Sequence, residues 1–346
     1  MQVLSETIRS IEPVDASAMS EAQRRLNSLT KPQGSLGQLE EIAKRVVGIT
    51  RKPRPNMDRK TIYTLAADHG VAAEGVSAYP QAVTEQMVYN FLRGGAAINV
   101  LGRHSGARII VADFGIAADL KPAPGLVACK INAGTRNMAR EPAMTRDEAV
   151  RGVEAGIELV QETDLAGTGD MGIANTTSAS AITAVVTGRS IEEVTGRGTG
   201  IDDATFRKKT RVIEEAIARH RPSANDAIDV LSKVGGFEIA GLAGVMLGAA
   251  ARHIPVVIDG FISGAAALIA ATLAPTVKQY LFAAHKSAER GHAACLTWLG
   301  LRPILDLDLR LGEGTGAALA MHIIEGACKV LNEMATFEEA GVSGRK

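Results

Sequence analysis

Short, continuously apolar runs punctuate this chain at residues 62–67, 109–112, 255–258 and 280–284, and each gives way to a turn or a polar residue. Runs of that length without polar alternation are how strands buried on both faces of a parallel sheet read. Longer segments of helical periodicity separate them, among them 146–161, 205–218 and 237–251. Strand and helix in alternation predict an α/β fold: an open, mainly parallel, Rossmann-like sheet with helices on both faces. The first fifty residues have a different texture. Leu36, Leu39, Ile42 and Val46 recur on one helical face, and Ser35 with Gln38 has the form of a capping box. A turn-rich stretch, Thr30-Lys31-Pro32-Gln33-Gly34-Ser35-Leu36-Gly37, precedes them, and the two prolines of 51–55 read as a linker. Residues 317–337 read as helix, expected to return against the N-terminal helices. The predicted division is therefore a small helical domain from 1–55 and 318–346, and a large α/β domain over 56–317. The last residues, 341–346, read as a frayed tail.

The residues just past each apolar run point to a site. The runs end in Asp68-His69-Gly70, Asp113-Phe114-Gly115, Asp259-Gly260-Phe261 and His285-Lys286-Ser287. In open parallel sheets ligands bind beyond the carboxyl ends of the strands. A single aspartate there would as readily cap the next helix. Four polar strand ends together predict a shared crevice.

Composition narrows the partners. The chain has 346 residues, 46% hydrophobic and 22% charged, which is a globular profile. Lys+Arg and Asp+Glu both number 38, so the balance does not imply a polyanion such as nucleic acid. Aromatics at 3% supply no stacking platform for single strands. The three cysteines, Cys129, Cys295 and Cys328, are scattered and form neither a disulfide framework nor a metal pattern. The first residues, Met1-Gln2-Val3-Leu4-Ser5-Glu6, lack a basic region followed by an apolar stretch, and the most apolar segment, 265–274, is too short to span a bilayer. A cytoplasmic protein without membrane contact is expected.

Several motifs carry chemistry. In Leu311-Gly312-Glu313-Gly314-Thr315 one carboxylate stands between glycines and opens an Ala-rich helix. Gly167-Thr168-Gly169-Asp170-Met171-Gly172 formally fits G-x-G-x-x-G, with Asn175-Thr176-Thr177 opening a helix after it. No complete βαβ unit with a ribose-binding acid comes after it, so a mononucleotide phosphate or ribose loop is the better expectation. In His285-Lys286-Ser287-Ala288-Glu289-Arg290-Gly291-His292 the spacing would let His285, Glu289 and His292 ligate a metal. No further His or Cys completes such a set, which favours a phosphate or ribose contact through Ser287. Asp202-Asp203 and Asp306 with Asp308 read as helix caps or solvated turns rather than Mg²⁺ ligands. Lys209, in the basic run Arg207-Lys208-Lys209, is a candidate phosphate contact. Glu74-Gly75-Val76-Ser77-Ala78-Tyr79-Pro80-Gln81 mixes small, aromatic and hydrogen-bonding residues, as suits a pocket for a flat ring with polar edges.

Together these segments resemble the nicotinate-nucleotide:dimethylbenzimidazole phosphoribosyltransferases, nearly end to end. The likeness is carried by Leu29-Thr30-Lys31-Pro32-Gln33-Gly34-Ser35-Leu36-Gly37, Asp68-His69-Gly70-Val71, the Glu74-to-Gln81 stretch and Gly94-Gly95-Ala96-Ala97-Ile98. It continues in Asp259-Gly260-Phe261-Ile262-Ser263-Gly264, His285-Lys286-Ser287-Ala288-Glu289 and Arg310-Leu311-Gly312-Glu313-Gly314-Thr315-Gly316. One departure stands out. The family usually reads Gly-Glu-Met-Gly-Ile-Gly-Asn-Thr-Thr where this chain has Gly169-Asp170-Met171-Gly172-Ile173-Ala174-Asn175-Thr176-Thr177.

The resemblance implies transfer of the 5-phosphoribosyl group of nicotinate mononucleotide to 5,6-dimethylbenzimidazole, in cobalamin nucleotide-loop assembly. It implies Glu313 as general base and Asp170 as stabiliser of charge on the ribose. It implies Gly172, Lys209, Ser287 and Gly264 on the nucleotide side, and Ser77, Tyr79, Gln86 and Leu311 around the base. Small-molecule substrates, no cofactor, no metal and a homodimer follow from the same likeness. The helix after Glu313 is expected to favour its ionised form, and burial to oppose that. Two other classes compete: an NAD-dependent oxidoreductase resting on residues 167–172, and a non-catalytic nucleotide-binding regulator.

Overall fold

The run Lys60–Ala67 is buried along its whole length, which only a strand with neighbours on both edges and cover on both faces allows. It is β1 of the computed structural model, which describes residues 2–198 and 200–343. Met1 and the last three residues of the predicted tail, Gly344, Arg345 and Lys346, lie outside the described residues. The other strands are β2 (Ala107–Gly115), β3 (Leu126–Ala128), β4 (Leu165–Met171), β5 (Val256–Ile258), β6 (Leu281–His285) and β7 (Pro303–Leu305). They form one sheet in the order β3-β2-β1-β4-β5-β6-β7, and every pairing is parallel. The chain steps outward from β1 to β3, returns to β4 and steps outward the other way. Its direction of winding reverses between β1 and β4, and that opens a crevice at their carboxyl ends.

The four apolar runs are β1, β2, β5 and β6. The edge strands β3 and β7 were not predicted: each has three residues, none of them buried, so neither writes an apolar run into the sequence. The larger correction concerns β4. Gly167 and Gly169 lie inside this strand rather than in a phosphate loop, and only Gly172 stands at the turn beyond it.

Helices cover both faces, as the alternation predicted. Phe237–Ala251 packs on β1, β2 and β4, with Arg146–Leu159 and Phe261–Leu273 beside it. Thr315–Glu333 packs on β4, β5, β6 and β7, with Gln38–Thr50 and Ala97–Ser105 against it. Phe237–Ala251 is apolar on every side because nearly every side is buried.

The chain ends meet. Arg25 Nε donates to the Leu331 carbonyl at 2.7 Å, and the Phe337 N–H donates to Ser28 O at 3.0 Å. The capping box expected of Ser35 and Gln38 does not form. The helix Gln38–Thr50 is preceded by Gly37 at φ 54°, with no side-chain cap. Glu40 instead accepts from the Leu36 N–H at 3.0 Å and pairs with Lys31 Nζ at 2.7 Å, both side chains buried. A buried ion pair therefore folds the turn-rich stretch onto its helix, a longer reach than the local capping pattern. No helix among the described residues is long and apolar enough to cross a membrane.

Candidate active site

Gly312, Glu313 and Gly314 all lie in the left-handed region, at φ 84°, 65° and 98°. Glycine takes that conformation freely, whereas a residue with a Cβ meets a steric cost of about 1–2 kcal/mol. Three strands hold Glu313 there. From β1, Thr64 Oγ1 donates to the Glu313 carbonyl at 2.9 Å. From β4, the Asp170 carbonyl accepts from the Glu313 N–H at 3.3 Å. Beyond β5, Asp259 accepts from the Gly314 and Ala317 N–H groups at 3.1 and 3.0 Å. Asp259 thus caps the helix Thr315–Glu333, not the helix that comes after its own strand. Gly169 makes room for the loop, since a Cβ placed there would lie 2.2 Å from the Glu313 carbonyl oxygen.

Glu313 is 5% exposed, and its Oε2 accepts from the Ile98 N–H at 3.2 Å. The helix N-terminus that meets it is therefore that of Ala97–Ser105, not of the helix it precedes. Burial lifts its pKa above the ordinary glutamate value; the Ile98 N–H opposes that lift, and the charge on Asp259 reinforces it. The balance left open by sequence falls on the side of burial.

Asp170, the penultimate residue of β4, has its Oδ2 accepting from Asn175 Nδ2 at 3.0 Å. Burial raises its pKa well above the ordinary range, the charges on Asp259 and Glu238 add to this, Asn175 opposes it, and Glu313 adds a little more. Asp259 is lifted to about 6 by burial, with His285 pulling the other way. Next to these acids, Ala174 takes φ 72° at the start of the helix Asn175–Thr187. The family pattern has glycine at that position, so the methyl of this chain is carried in a conformation glycine adopts at lower cost.

A cavity of about 280 Å³ opens over the ends of β4, β5 and β6. Of the expected site residues, Tyr79, Asp170, Gly172, Ser287 and Leu311 line it. Tyr79 and Leu311 form its rim, 54% and 58% exposed. Glu313 is not itself in the lining, although its neighbour Gly312 is. Ser77 is half-buried and its Oγ accepts from the Tyr79 N–H at 3.4 Å. Gln86 is exposed on the helix Ala82–Arg93, outside the lining. Lys209 also stands behind it: 1% exposed, its Nζ donates to Thr176 Oγ1 at 2.8 Å and to Gly196 O at 3.3 Å. Burial lowers its pKa to about 8, with Glu289 opposing. Gly264 lies inside the helix Phe261–Leu273, where a Cβ would meet His292 and Cys295 at 3.0 and 3.2 Å, away from the cavity.

Sequence reasoning missed the anchoring role of Asp259, whose partners are 55 and 58 residues away. His285, named at a strand end, and Asn175 and Thr176, named at a helix start, do line the cavity, although sequence reasoning gave none of them an individual role. No group of three or more His, Cys, Asp or Glu side chains able to hold a metal occurs among the described residues. The candidates have other work. Asp202 caps its helix through the Thr205 N–H at 2.8 Å, Asp306 pairs with Lys286 at 3.3 Å, and His292 Nδ1 accepts from the Ser287 N–H at 3.0 Å.

Buried acids beside the crevice suit a ligand centre that becomes cationic, and a buried lysine behind a helix start suits an anion. A parallel sheet with such a site at its switch point defines an α/β nucleotide-handling enzyme. The sequence profile of the family described as phosphoribosyltransferase matches residues 11–342, and the chain belongs to that family. It is 60% identical over 351 residues to the nicotinate-nucleotide–dimethylbenzimidazole phosphoribosyltransferase of Chloroflexus aggregans, covering 100% of this chain and 99% of that one. Identity to the protein of the same name from Geobacter metallireducens is 59%, over 99% and 98% of the two chains. The crystal structure of the corresponding enzyme from Thermus thermophilus superposes with a TM-score of 0.91 at 45% identity, covering 96% of this chain and 100% of that one. A second structure, titled CobT, from the same organism gives a TM-score of 0.92 at 46% identity, covering 95% of this chain and 100% of that one.

Proposed function

We propose that this enzyme transfers the 5-phosphoribosyl group of nicotinate mononucleotide to 5,6-dimethylbenzimidazole, releasing nicotinate and α-ribazole 5′-phosphate for the nucleotide loop of cobalamin. The names of the relatives supply the substrates. The observation that carries the chemistry is the pairing of two buried acids on joined backbone: the Glu313 N–H donates to the Asp170 carbonyl at 3.3 Å, so the segments that carry the two carboxyl groups are tied together.

In this scheme one benzimidazole nitrogen attacks the anomeric carbon with its lone pair. The bond from that carbon to the nicotinate ring nitrogen breaks, and its electron pair returns to the ring. The N–H proton on the second benzimidazole nitrogen passes to Glu313. A glutamate whose pKa is raised by burial is, in its ionised form, a stronger base than an exposed one. Asp170 faces the positive charge that builds on the ribose as the leaving group departs. Lys209, acting with Thr176, Ser287 and the backbone at Gly172 take the phosphate side. Ser77, Tyr79, Gln86 and Leu311 receive the base, and Gly264 packs behind the nucleotide wall. Holding both reactants in line supplies much of the acceleration.

The same reading takes the chain ends, 1–55 and 318–346, as a small helical unit beside an α/β catalytic unit of 56–317. It takes the enzyme as a cytoplasmic homodimer. Light scattering coupled to size exclusion tests the dimer, whose mass would be twice the 36.2 kDa of one chain.

A product assay tests the reaction itself. Purified enzyme is mixed with nicotinate mononucleotide and a panel of dimethylbenzimidazole, benzimidazole, adenine and a phenol, and products are identified by mass. Nicotinate and a ribotide of the base should appear in equal amounts. Binding without nicotinate release would favour a regulator, and a reduced nicotinamide signal would favour an oxidoreductase.

A further inference from the structure

A buried three-residue chain stands behind the Asp170–Gly172 turn, and the proposed chemistry does not use it. His69, at the end of β1, is fully buried. Its Nδ1 lies 3.1 Å from Ser178 Oγ and its Nε2 lies 2.7 Å from Glu238 Oε1. Both partners are themselves buried, so no solvent donor or acceptor competes.

Counting protons fixes the tautomer. A serine hydroxyl has one proton to give. Ser178 Oγ lies 3.2 Å from the Gly235 carbonyl, which only accepts, and therefore donates to it. Were that proton turned to His69 instead, two lone-pair-bearing oxygens would face each other at that distance inside the protein. The contact with Nδ1 must then be a bond donated by Nδ1–H. On the other side, a bare Nε2 cannot sit 2.7 Å from a bare carboxylate oxygen, so one proton lies on that line as well. The imidazole is thus held by two hydrogen bonds, of which the one at Nδ1 has a fixed direction. It links the end of β1 to two helices, Asn175–Thr187 through Ser178 and Phe237–Ala251 through Glu238.

That ring supports the site wall. A Cβ placed on Gly172 would lie 3.4 Å from His69 Cδ2 and Nε2. On Gly236 it would lie 2.4 Å from His69 Cε1. The backbone just past Asp170 therefore runs beside the edge of the imidazole, with no room for a larger residue between the ring and the Ala67 carbonyl, 2.4 Å from a Cβ at Gly172. We propose that His69, locked by Ser178 and Glu238 in an Nδ1-protonated orientation, is a positioning residue that sets the Asp170–Gly172 turn against the nucleotide. It touches no reacting atom and acts through Asp170. The kinetic part of the inference rests on the proposed transfer reaction; the tautomer does not.

Two measurements test it. In histidine-labelled free enzyme, long-range nitrogen–proton correlation should show His69 Nδ1 carrying a proton, with the signal identified by its displacement in Ser178→Ala. A bare Nδ1 with the proton on Nε2 alone would overturn the proposal. In kinetics, Glu238→Ala should lower kcat ten- to a hundredfold while KM for dimethylbenzimidazole moves less than about threefold, because a displacement of about an ångström at the reacting groups costs on that order. Glu238→Gln, which keeps a hydrogen bond to Nε2, should recover most of the loss. An unchanged kcat in Glu238→Ala, or failure of Glu238→Gln to recover activity while melting like the wild type, would leave His69 with no positioning role. Should Glu238→Ala not fold, Ser178→Ala carries the same kinetic test, with kcat expected roughly three- to tenfold lower. The labelled measurement needs no substrate. A wild-type enzyme that released no nicotinate would sink the proposed reaction and the positioning role with it, while the tautomer would still be read separately.

Discussion

Glu313 and Asp170 are held against their own preferences. Each has its pKa raised, chiefly by burial, and each stands near Asp259. A base must be ionised, so activity is present above the raised value and is lost as pH falls through it. The acid limb of kcat/KM should therefore lie above 4.5, the ordinary value for glutamate, and should belong to the coupled acids rather than to one residue. A limb at or below that value contradicts the assignment of Glu313 as base. For folding the same shift works the other way: a raised carboxyl contributes stability at low pH that is lost as pH rises through its folded value. Asp170→Asn should accordingly gain about 1 kcal/mol at pH 8, less toward pH 5, while kcat falls sharply. A melting series across pH on both proteins checks the stability half.

At the scale of elements, the sequence showed the strands it could and hid those it could not. β1, β2, β5 and β6 are read from continuous apolar runs because burial on both faces forces such runs. The edge strands β3 and β7 have no such constraint. The glycines at 167 and 169 suggested a loop because a phosphate turn and a close approach between strand and loop call for the same residue. Only the fold reveals that Gly169 yields space to the Glu313 carbonyl. Glu313 itself was legible from its flanking glycines, but its partner, the Ile98 N–H, is 215 residues away and no local pattern encodes it. Gly169→Ala tests the element argument. Its methyl meets backbone that can move only with the loop, so kcat should fall on the order of a hundredfold. Circular dichroism should stay that of the wild type. Unchanged turnover would mean the loop does not need its present seat.

Across the whole molecule, the crevice draws on the ends of β1, β4, β5 and β6 and on the helices connected to them. A ligand that engages these ends binds the folded chain and not the unfolded one, so it stabilises by mass action. Nicotinate mononucleotide at about a hundred times its dissociation constant should add about 2.7 kcal/mol and raise the melting temperature by an amount that grows with concentration. The zero formal net charge of the chain gives no long-range attraction for the anionic substrate. The pull must come from local groups such as Lys209, and its charge should fade as pH rises through about 8. A KM for the nucleotide that climbs above that pH, with kcat steady, is the expected signature.

The most direct measurement compares Glu313→Gln with the wild type, following nicotinate release from nicotinate mononucleotide and dimethylbenzimidazole while calorimetry records binding of each. Glutamine keeps the shape and removes the base, so both substrates should bind within a few-fold of wild type while turnover falls by a factor on the order of 10² to 10⁴. Turnover equal to that of the wild type, with both substrates bound, would show that the proton leaves the base by another route.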